Sequence, residues 1–100
     1  MKLMTKELEQ RFAAVGRQEE NPDPLVLAKW FTPDSNWTWW AYEYDPATQE
    51  CFGLVSGFEV ELGYFSLAEM AEAKGPLGLH IERDLYWQEK PLSQVRAALA

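Results

Sequence analysis

The side chains that commonly perform acid–base or nucleophilic chemistry are scarce in this chain of 100 residues. His80 is the single histidine, and Cys51 is the single cysteine. The segment from Gly53 to Gly57 has its serine one position later than the Gly-x-Ser-x-Gly turn that exposes a hydrolase nucleophile. The sequence therefore predicts no histidine-dependent nucleophilic catalysis, and we expect His80 to be a loop residue with an ordinary polar contact.

Metal and cofactor binding have little support in the sequence. His80, Glu82 and Asp84 alternate and would share one face of a strand, but such a pattern is more often solvated than ligating. One histidine and one cysteine cannot complete a zinc site within the chain, and the sequence has no glycine-rich phosphate loop. We therefore predict no metal and no cofactor. A small enzyme that uses Asp34 or Glu82 as a general base stays open as an alternative.

The net charge of −7 is distributed unevenly along the chain. Residues 30–73 contain eight acidic residues and no lysine or arginine, so they contribute −8, while the flanking segments contribute 0 and +1. Because proteins bind phosphate mainly through lysine and arginine, we do not expect this segment to form a nucleic-acid groove. An acidic surface of this kind either aids solubility or complements a basic protein.

The hydrophobic pattern predicts an α+β fold, an antiparallel β-meander of four to five strands with three helices against one face of the sheet. The predicted strands are Leu25–Thr32, Asn36–Tyr44, Glu50–Ser56, Phe58–Phe65 and, at an edge, Ile81–Trp87. In the fourth strand, Phe58, Val60, Leu62 and Tyr64 alternate with Glu59, Glu61 and Gly63. This period of two predicts a buried apolar face and a solvated acidic face.

Capping residues mark the helix ends. We expect the first helix to run from Thr5 to Val15 and to stop at Gly16, with Thr5 as its N-cap. A capping box at Ser66 predicts a short second helix that ends near Lys74 and Gly75, and a third helix follows Pro91. We predict that residues 1–100 form a single domain.

Aromatic residues are concentrated in the second predicted strand. Trp37 and Trp39 should point to one side of it, and Trp40, Tyr42 and Tyr44 to the other. Either helices or loops cover both sides, or one side is an exposed aromatic platform for a partner. Stacking on single-stranded bases is a further alternative, which the shortage of nearby basic residues weakens.

Acidic side chains are expected to share the open face of the meander with two of the tryptophans. Glu43, Glu59 and Glu61 are strand residues that could lie near them if the register permits. Such a face suits a basic protein, because charges raise the association rate and aromatics supply the binding hot spots. The predicted partner-binding residues are Asp34, Trp37, Trp39, Glu43, Glu59 and Glu61.

A single cysteine fits a reducing compartment, and we predict a cytoplasmic protein. The first residues contain no apolar signal-peptide region, and no apolar run approaches the length of a membrane span.

Three segments of the chain resemble a known bacterial family. Residues 31–39, 61–67 and 75–86, together with residues 19–24, are similar to the family catalogued as domain of unknown function 2958. The resemblance implies a short cytosolic protein that is often encoded on plasmids, integrative elements or phages. It implies no established activity, so no catalytic residue is carried over.

Charge, aromatic content and resemblance together favour a non-enzymatic interaction protein of a mobile genetic element. We expect it to bind a basic protein partner, one that could itself bind nucleic acid. A more specific version of this hypothesis is DNA mimicry against host restriction or CRISPR machinery.

Overall fold

The computed structural model describes residues 1–99 of the chain. In chain order the elements are α1 (Lys6–Val15), β1 (Leu25–Val26), β2 (Ala28–Phe31), β3 (Thr38–Asp45), β4 (Glu50–Ser56), β5 (Val60–Ser66), α2 (Leu67–Glu72), β6 (Glu82–Arg83), β7 (Lys90–Pro91) and α3 (Leu92–Leu99). Five strands form one antiparallel sheet in the order β5-β4-β3-β2-β6, and β1 pairs with β7 in a separate two-stranded sheet. The predicted α+β fold and its meander are confirmed.

The predicted caps of the first two helices are also confirmed. The Thr5 hydroxyl accepts a hydrogen bond from the Leu8 N–H, and the Ser66 hydroxyl accepts one from the Glu69 N–H. Each bond satisfies a backbone donor that the first turn of a helix leaves free. Gly16 ends α1 with a φ of 73°, a backbone conformation that glycine adopts without strain.

Helices cover both faces of the sheet, so the expectation that all three pack on one face was wrong. On the face we call the α1/α2 face, Trp30 and Trp39 cluster with Phe12 of α1 and Met70 of α2. On the opposite α3 face, Trp40, Tyr42 and Leu54 cluster with Leu92 and Val95 of α3. Large aromatics on both sides of β3 must all be removed from water, and a single layer of helices cannot do this.

A β-bulge in β3 reverses the side on which its last residues lie. Ala41 pairs with Gly53 and Glu43 pairs with Phe52, so one extra residue stands between two neighbouring pairs. Tyr44 therefore returns to the α1/α2 face, where it packs against the core, and its predicted position beside Trp40 was wrong. At Gly53 a Cβ would overlap the Trp40 carbonyl, so the close approach of the two strands requires glycine.

The apolar face of β5 is exposed, contrary to the sequence-based expectation. Phe58, Val60, Leu62 and Tyr64 all lie on the surface, although they alternate with polar residues as predicted. The α3 residues cluster with side chains of β3 and β4 and leave the outer strand β5 bare. Alternation therefore identified the face correctly but not its burial.

The last predicted strand is much shorter than expected. Within Ile81–Trp87 only Glu82 and Arg83 form β6, which pairs with β2. Ile81 is buried, and the Trp87 indole N–H donates to the Val26 carbonyl at 3.1 Å. Among residues 1–99, no helix has the length and apolar character needed to cross a membrane.

Candidate partner-binding surface

Three aromatic side chains meet at the end of the α1/α2 face. The rings of Trp37 and Trp39 stack with centroids 5.9 Å apart, and the rings of Phe58 and Trp37 are nearly perpendicular with centroids 5.2 Å apart. Phe58 is 95% exposed, Trp37 is half-buried and Trp39 is only 9% exposed. The cluster thus grades from a buried ring to a fully solvated one.

Local geometry fixes the position of Trp37. Its backbone N–H donates to the Thr32 hydroxyl at 3.0 Å, and the backbone N–H of Thr32 donates to the Trp37 carbonyl at 3.0 Å. A Cβ on Gly57 would overlap the Trp37 ring, so glycine at this bend allows the indole to lie against the β4–β5 connection. The Trp37 ring is therefore already fixed in place in the unbound protein.

A shallow apolar depression of about 310 Å³ lies beside the two tryptophans. Met70 of α2 and Ile81 contribute to its apolar lining, and Glu69 and Lys74 also line it. The depression is open to solvent and mostly hydrophobic, which suits an apolar side chain of a partner.

Two of the predicted acidic residues follow Phe58 closely along the chain. Glu61 pairs with Val55, which pairs in turn with Trp39, so these three side chains share the α1/α2 face. Glu59 stands in the connection between β4 and β5, directly after Phe58, and its carbonyl accepts the Gly57 N–H at 3.0 Å. We use the name tryptophan surface for Trp37, Trp39, Phe58, Glu59, Glu61 and Glu69.

Glu43 does not belong to this surface, and its predicted place beside Glu59 and Glu61 was wrong. The bulge in β3 puts Glu43 opposite Phe52 on the α3 face. Its carboxylate accepts the Gln18 N–H at 2.9 Å, which fastens the loop before β1 to β3.

Asp34 is directed at a neighbouring loop. One of its carboxylate oxygens, Oδ2, accepts the N–H groups of Leu77 at 2.8 Å and Leu79 at 3.3 Å. A Cβ on Gly75 would overlap the same carboxylate, so the loop can close over Asp34 only with glycine there. This bond network joins two of the segments on which the family resemblance rests.

Sequence reasoning missed Phe58 and Glu69 as surface residues. Phe58 was assigned to the buried side of a strand, but it lies in the bend between β4 and β5. Gly57, which stands between the two predicted strands, was the available signal, because a residue next to a tight turn leaves the pleated pattern. Nothing in the sequence pattern places Glu69 beside Trp37.

The remaining chemistry-bearing residues are dispersed. His80 is exposed, and Asp84 lies 3.8 Å from the Lys29 ammonium. Within the described residues 1–99, no three histidine, cysteine, aspartate or glutamate side chains come together in a way that could hold a metal ion. Cys51 is fully buried on β4, and the loss of solvation raises the pKa of its thiol.

The fold and this surface together define a small α+β protein whose antiparallel meander is covered unequally by helices on its two faces. The chain belongs to the family described as protein of unknown function (DUF2958), which matches residues 3–100. The resemblance seen in the sequence is thereby confirmed. Neither the search of curated proteins nor the search of solved structures found a match.

Proposed function

We propose that this protein is a non-enzymatic interaction module that binds a basic protein through the tryptophan surface. The observation that carries the proposal is Phe58, a large aromatic side chain that is 95% exposed at the rim of a tryptophan pair. Leaving such a ring in water is unfavourable, and exposed aromatics beside a depression are frequent binding hot spots. Apolar contact at this site would supply most of the affinity.

The charge of the surface supports a basic partner. Glu69 lines the depression, Glu61 shares the face of Trp39 with Val55 between them, and residues 30–73 contain no lysine or arginine. Lys74 is the basic residue that lines the depression. Carboxylates at the rim of an interface attract a positively charged surface and exclude an acidic one.

The rigidity of the surface also supports binding. Two hydrogen bonds with Thr32 fix the Trp37 backbone, and its indole stacks on Trp39 and packs against Gly57, so little conformational entropy remains to be lost there on association. Because these rings are already fixed, the tryptophan surface can bind a partner tightly through a small contact area.

We propose the cytoplasm of a bacterium that carries a mobile element as the setting. The buried thiol of Cys51 suits a reducing compartment. Because the surface is acidic, the partner we expect is basic, and basic surfaces are typical of nucleic-acid-binding proteins. A nuclease of host defence, held off by DNA mimicry, is the most specific form of this proposal.

A tagged pull-down from the native host tests the proposal, with washes at low and then high salt. We compare the wild-type chain with Phe58→Ser, with Glu59→Gln/Glu61→Gln and with Glu7→Gln/Glu9→Gln, a control that removes the same charge from α1. Phe58→Ser should weaken binding about 30-fold, the value of a hot spot near 2 kcal/mol. The double substitution on the tryptophan surface should weaken it about fivefold, and the α1 control should leave it unchanged.

The identity of the recovered material decides between the alternatives. A basic protein that is released at high salt and lost with Phe58→Ser supports the proposal. Recovery of nucleic acid alone would instead favour the single-stranded nucleic-acid alternative. Equal recovery by wild type and Phe58→Ser would show that the tryptophan surface is not the binding site.

A further inference from the structure

Strand β5 lies at one edge of the sheet with half of its backbone groups directed outward. Within residues 1–99 its one neighbouring strand is β4. The Leu67 N–H donates to the Gln49 carbonyl, and the pairing continues without a shift through Phe65 and Cys51. Because antiparallel pairs alternate between bonded and non-bonded positions, the odd-numbered residues of β5 face β4. The N–H and C=O groups of the even-numbered residues therefore face the open edge.

The same even-numbered residues carry exposed apolar side chains. Val60, Leu62 and Tyr64 are 48%, 42% and 75% exposed and lie on the α3 face of the sheet. The ring of Tyr64 is held by an edge contact with Phe52, with centroids 4.8 Å apart. Three successive positions thus offer both unpaired backbone groups and apolar contact area.

Two carboxylates lie at or next to this edge strand, away from its exposed apolar side chains. Glu61 points to the α1/α2 face between Val60 and Leu62, and Glu59 precedes β5 in the connection. Charged residues on an edge strand normally prevent unwanted strand pairing. Acidic residues block acidic or uncharged strands, but they admit a strand that brings lysine or arginine to the same positions.

We propose that β5 accepts an added antiparallel strand from a basic protein, an extended segment in which apolar residues alternate with lysine or arginine. The inference rests on the proposed function and specifies how the partner binds. Apolar side chains of the segment pack beside Leu62 and Tyr64 on the α3 face, and its basic side chains lie beside Glu61. Backbone hydrogen bonds from the even-numbered residues supply the remaining affinity.

A second copy of the chain fits this edge less well than a basic segment does. Each copy carries a net charge of −7 and would bring its own Glu59 and Glu61 to the interface. In a pairing centred on Glu61 the two carboxylates would stand directly opposite each other, which is destabilising. Charge complementarity thus selects a basic strand as the occupant.

The test uses isotope-labelled protein and a synthetic peptide of about nine residues, the length of a long strand, in which valine alternates with lysine. Amide hydrogen exchange is followed by NMR with and without the peptide. The amides of Val60, Leu62 and Tyr64 should exchange at least about tenfold more slowly when the peptide is bound. Those of Glu61 and Gly63, which already face β4, should change little. Uniform protection along β5, or none, would overturn strand addition.

Backbone methylation of the peptide provides a matched control that leaves the protein untouched. In an antiparallel pair, the valines opposite Leu62 and its even-numbered neighbours direct their N–H groups at β5, and the lysines direct theirs away. Methylating the valine nitrogens should abolish binding, whereas methylating the lysine nitrogens should preserve it. Binding by both peptides would show that side chains alone mediate the contact.

A charge exchange tests the selectivity of the edge. Glu61→Lys should weaken binding of the valine–lysine peptide about fivefold and should strengthen binding of a valine–glutamate peptide. The control Glu7→Lys, on α1, should affect neither peptide. Protection that appears without peptide and rises with protein concentration would instead identify a second copy as the occupant.

The outcomes separate this inference from the proposed function. A basic partner whose binding needs Phe58, together with no alternating protection of the β5 amides, would support the proposed function and contradict strand addition. Alternating protection of β5 by the peptide, with no basic protein recovered from the host, would support strand addition and contradict the proposed function.

Discussion

The strands β3 and β5 both carry large apolar side chains, but most of those of β3 are buried and most of those of β5 are exposed. Trp39 and Trp40 of β3 lie on different faces of the sheet, and helices cover both of them. Leu62 and Tyr64 of β5 share one face with Trp40 and remain exposed. The difference shows that alternation along a strand specifies which residues share a face, whereas burial depends on how far the covering helix reaches.

Two leucines make this comparison within one cross-strand pair. Leu54 on β4 pairs directly with Leu62 on β5, so the side chains lie on the same face of adjacent strands. Leu54 is 0% exposed and Leu62 is 42% exposed. The boundary of the covered region therefore falls between β4 and β5, and the surplus apolar surface beyond it is available to a partner.

The largest effect is expected from truncating this pair. Leu54→Ala should lower the free energy of unfolding by about 3 kcal/mol, because it removes buried methyl groups and leaves a cavity. Leu62→Ala should cost less than about 1 kcal/mol, because its side chain is already partly hydrated. Urea unfolding followed by tryptophan fluorescence measures both. Equal costs would mean that the two strands are covered alike in solution.

Two glycines extend the comparison to the backbone. Gly53 and Gly63 face each other across β4 and β5. Gly53→Ala should destabilise the protein by about 2 kcal/mol, because the added Cβ overlaps the Trp40 carbonyl and forces the strands apart. At Gly63 a Cβ meets no neighbouring atom, so Gly63→Ala should be neutral or stabilise by about 0.5 kcal/mol. Thermal unfolding of both variants checks the difference in sign.

A buried glutamine fastens the loop that borders the covered part of the α3 face. The Gln18 amide donates to the carbonyls of Leu25 at 2.9 Å and Tyr42 at 2.8 Å, and its oxygen accepts the Leu25 N–H at 2.7 Å. Gln18→Ala should cost about 2 kcal/mol, because these backbone groups lose their partner. The exposed Gln94→Ala on α3 should change stability by less than about 0.5 kcal/mol. Similar values in urea unfolding would contradict a structural role for Gln18.

The smallest effect concerns the attachment of α3, the helix that covers this face. The Asp23 carboxylate accepts the Ser93 hydroxyl at 2.6 Å and the Ser93 N–H at 2.8 Å, and these bonds lower the pKa of Asp23. A lowered pKa means that the bonds stabilise the folded state above the unfolded value, near pH 4, and that this contribution is lost as the pH falls through the folded value.

A comparison of Asp23→Asn with the wild type tests this pH dependence. The variant should be less stable than the wild type at pH 6, and the difference should shrink as the pH falls below about 4. Urea midpoints measured across this range report the difference. A gap that widens on acidification would contradict the assigned sign.

Much of the fold could be predicted because its signals are local. The caps at Thr5 and Ser66 act within three residues, and the four strands of the meander follow one another on short connections. Of the predicted site residues, Trp37 and Trp39 do stack and Glu61 shares the face of Trp39, whereas their role in binding stays a prediction.

The parts that could not be predicted depend on contacts between distant residues. The bulge that changes the faces on which Glu43 and Tyr44 lie arises from the pairing of β3 with β4, and no residue type within β3 predicts it. Likewise Asp34 reads as a turn residue in the sequence, and only the folded chain brings it to the Leu77 N–H.

The sequence by itself determined the three helices, the caps of α1 and α2, the order of the four meander strands and the acidity of the middle segment, because these properties depend on neighbouring residues or on composition. Only the tertiary structure decided that α3 would cover Leu54 and leave Leu62 exposed, and that Phe58 would stand on the surface beside Trp37. The physical reason is that burial is a property of assembled layers. A strand pattern states which side chains share a face, and the helices that pack on that face decide which of them lose their water.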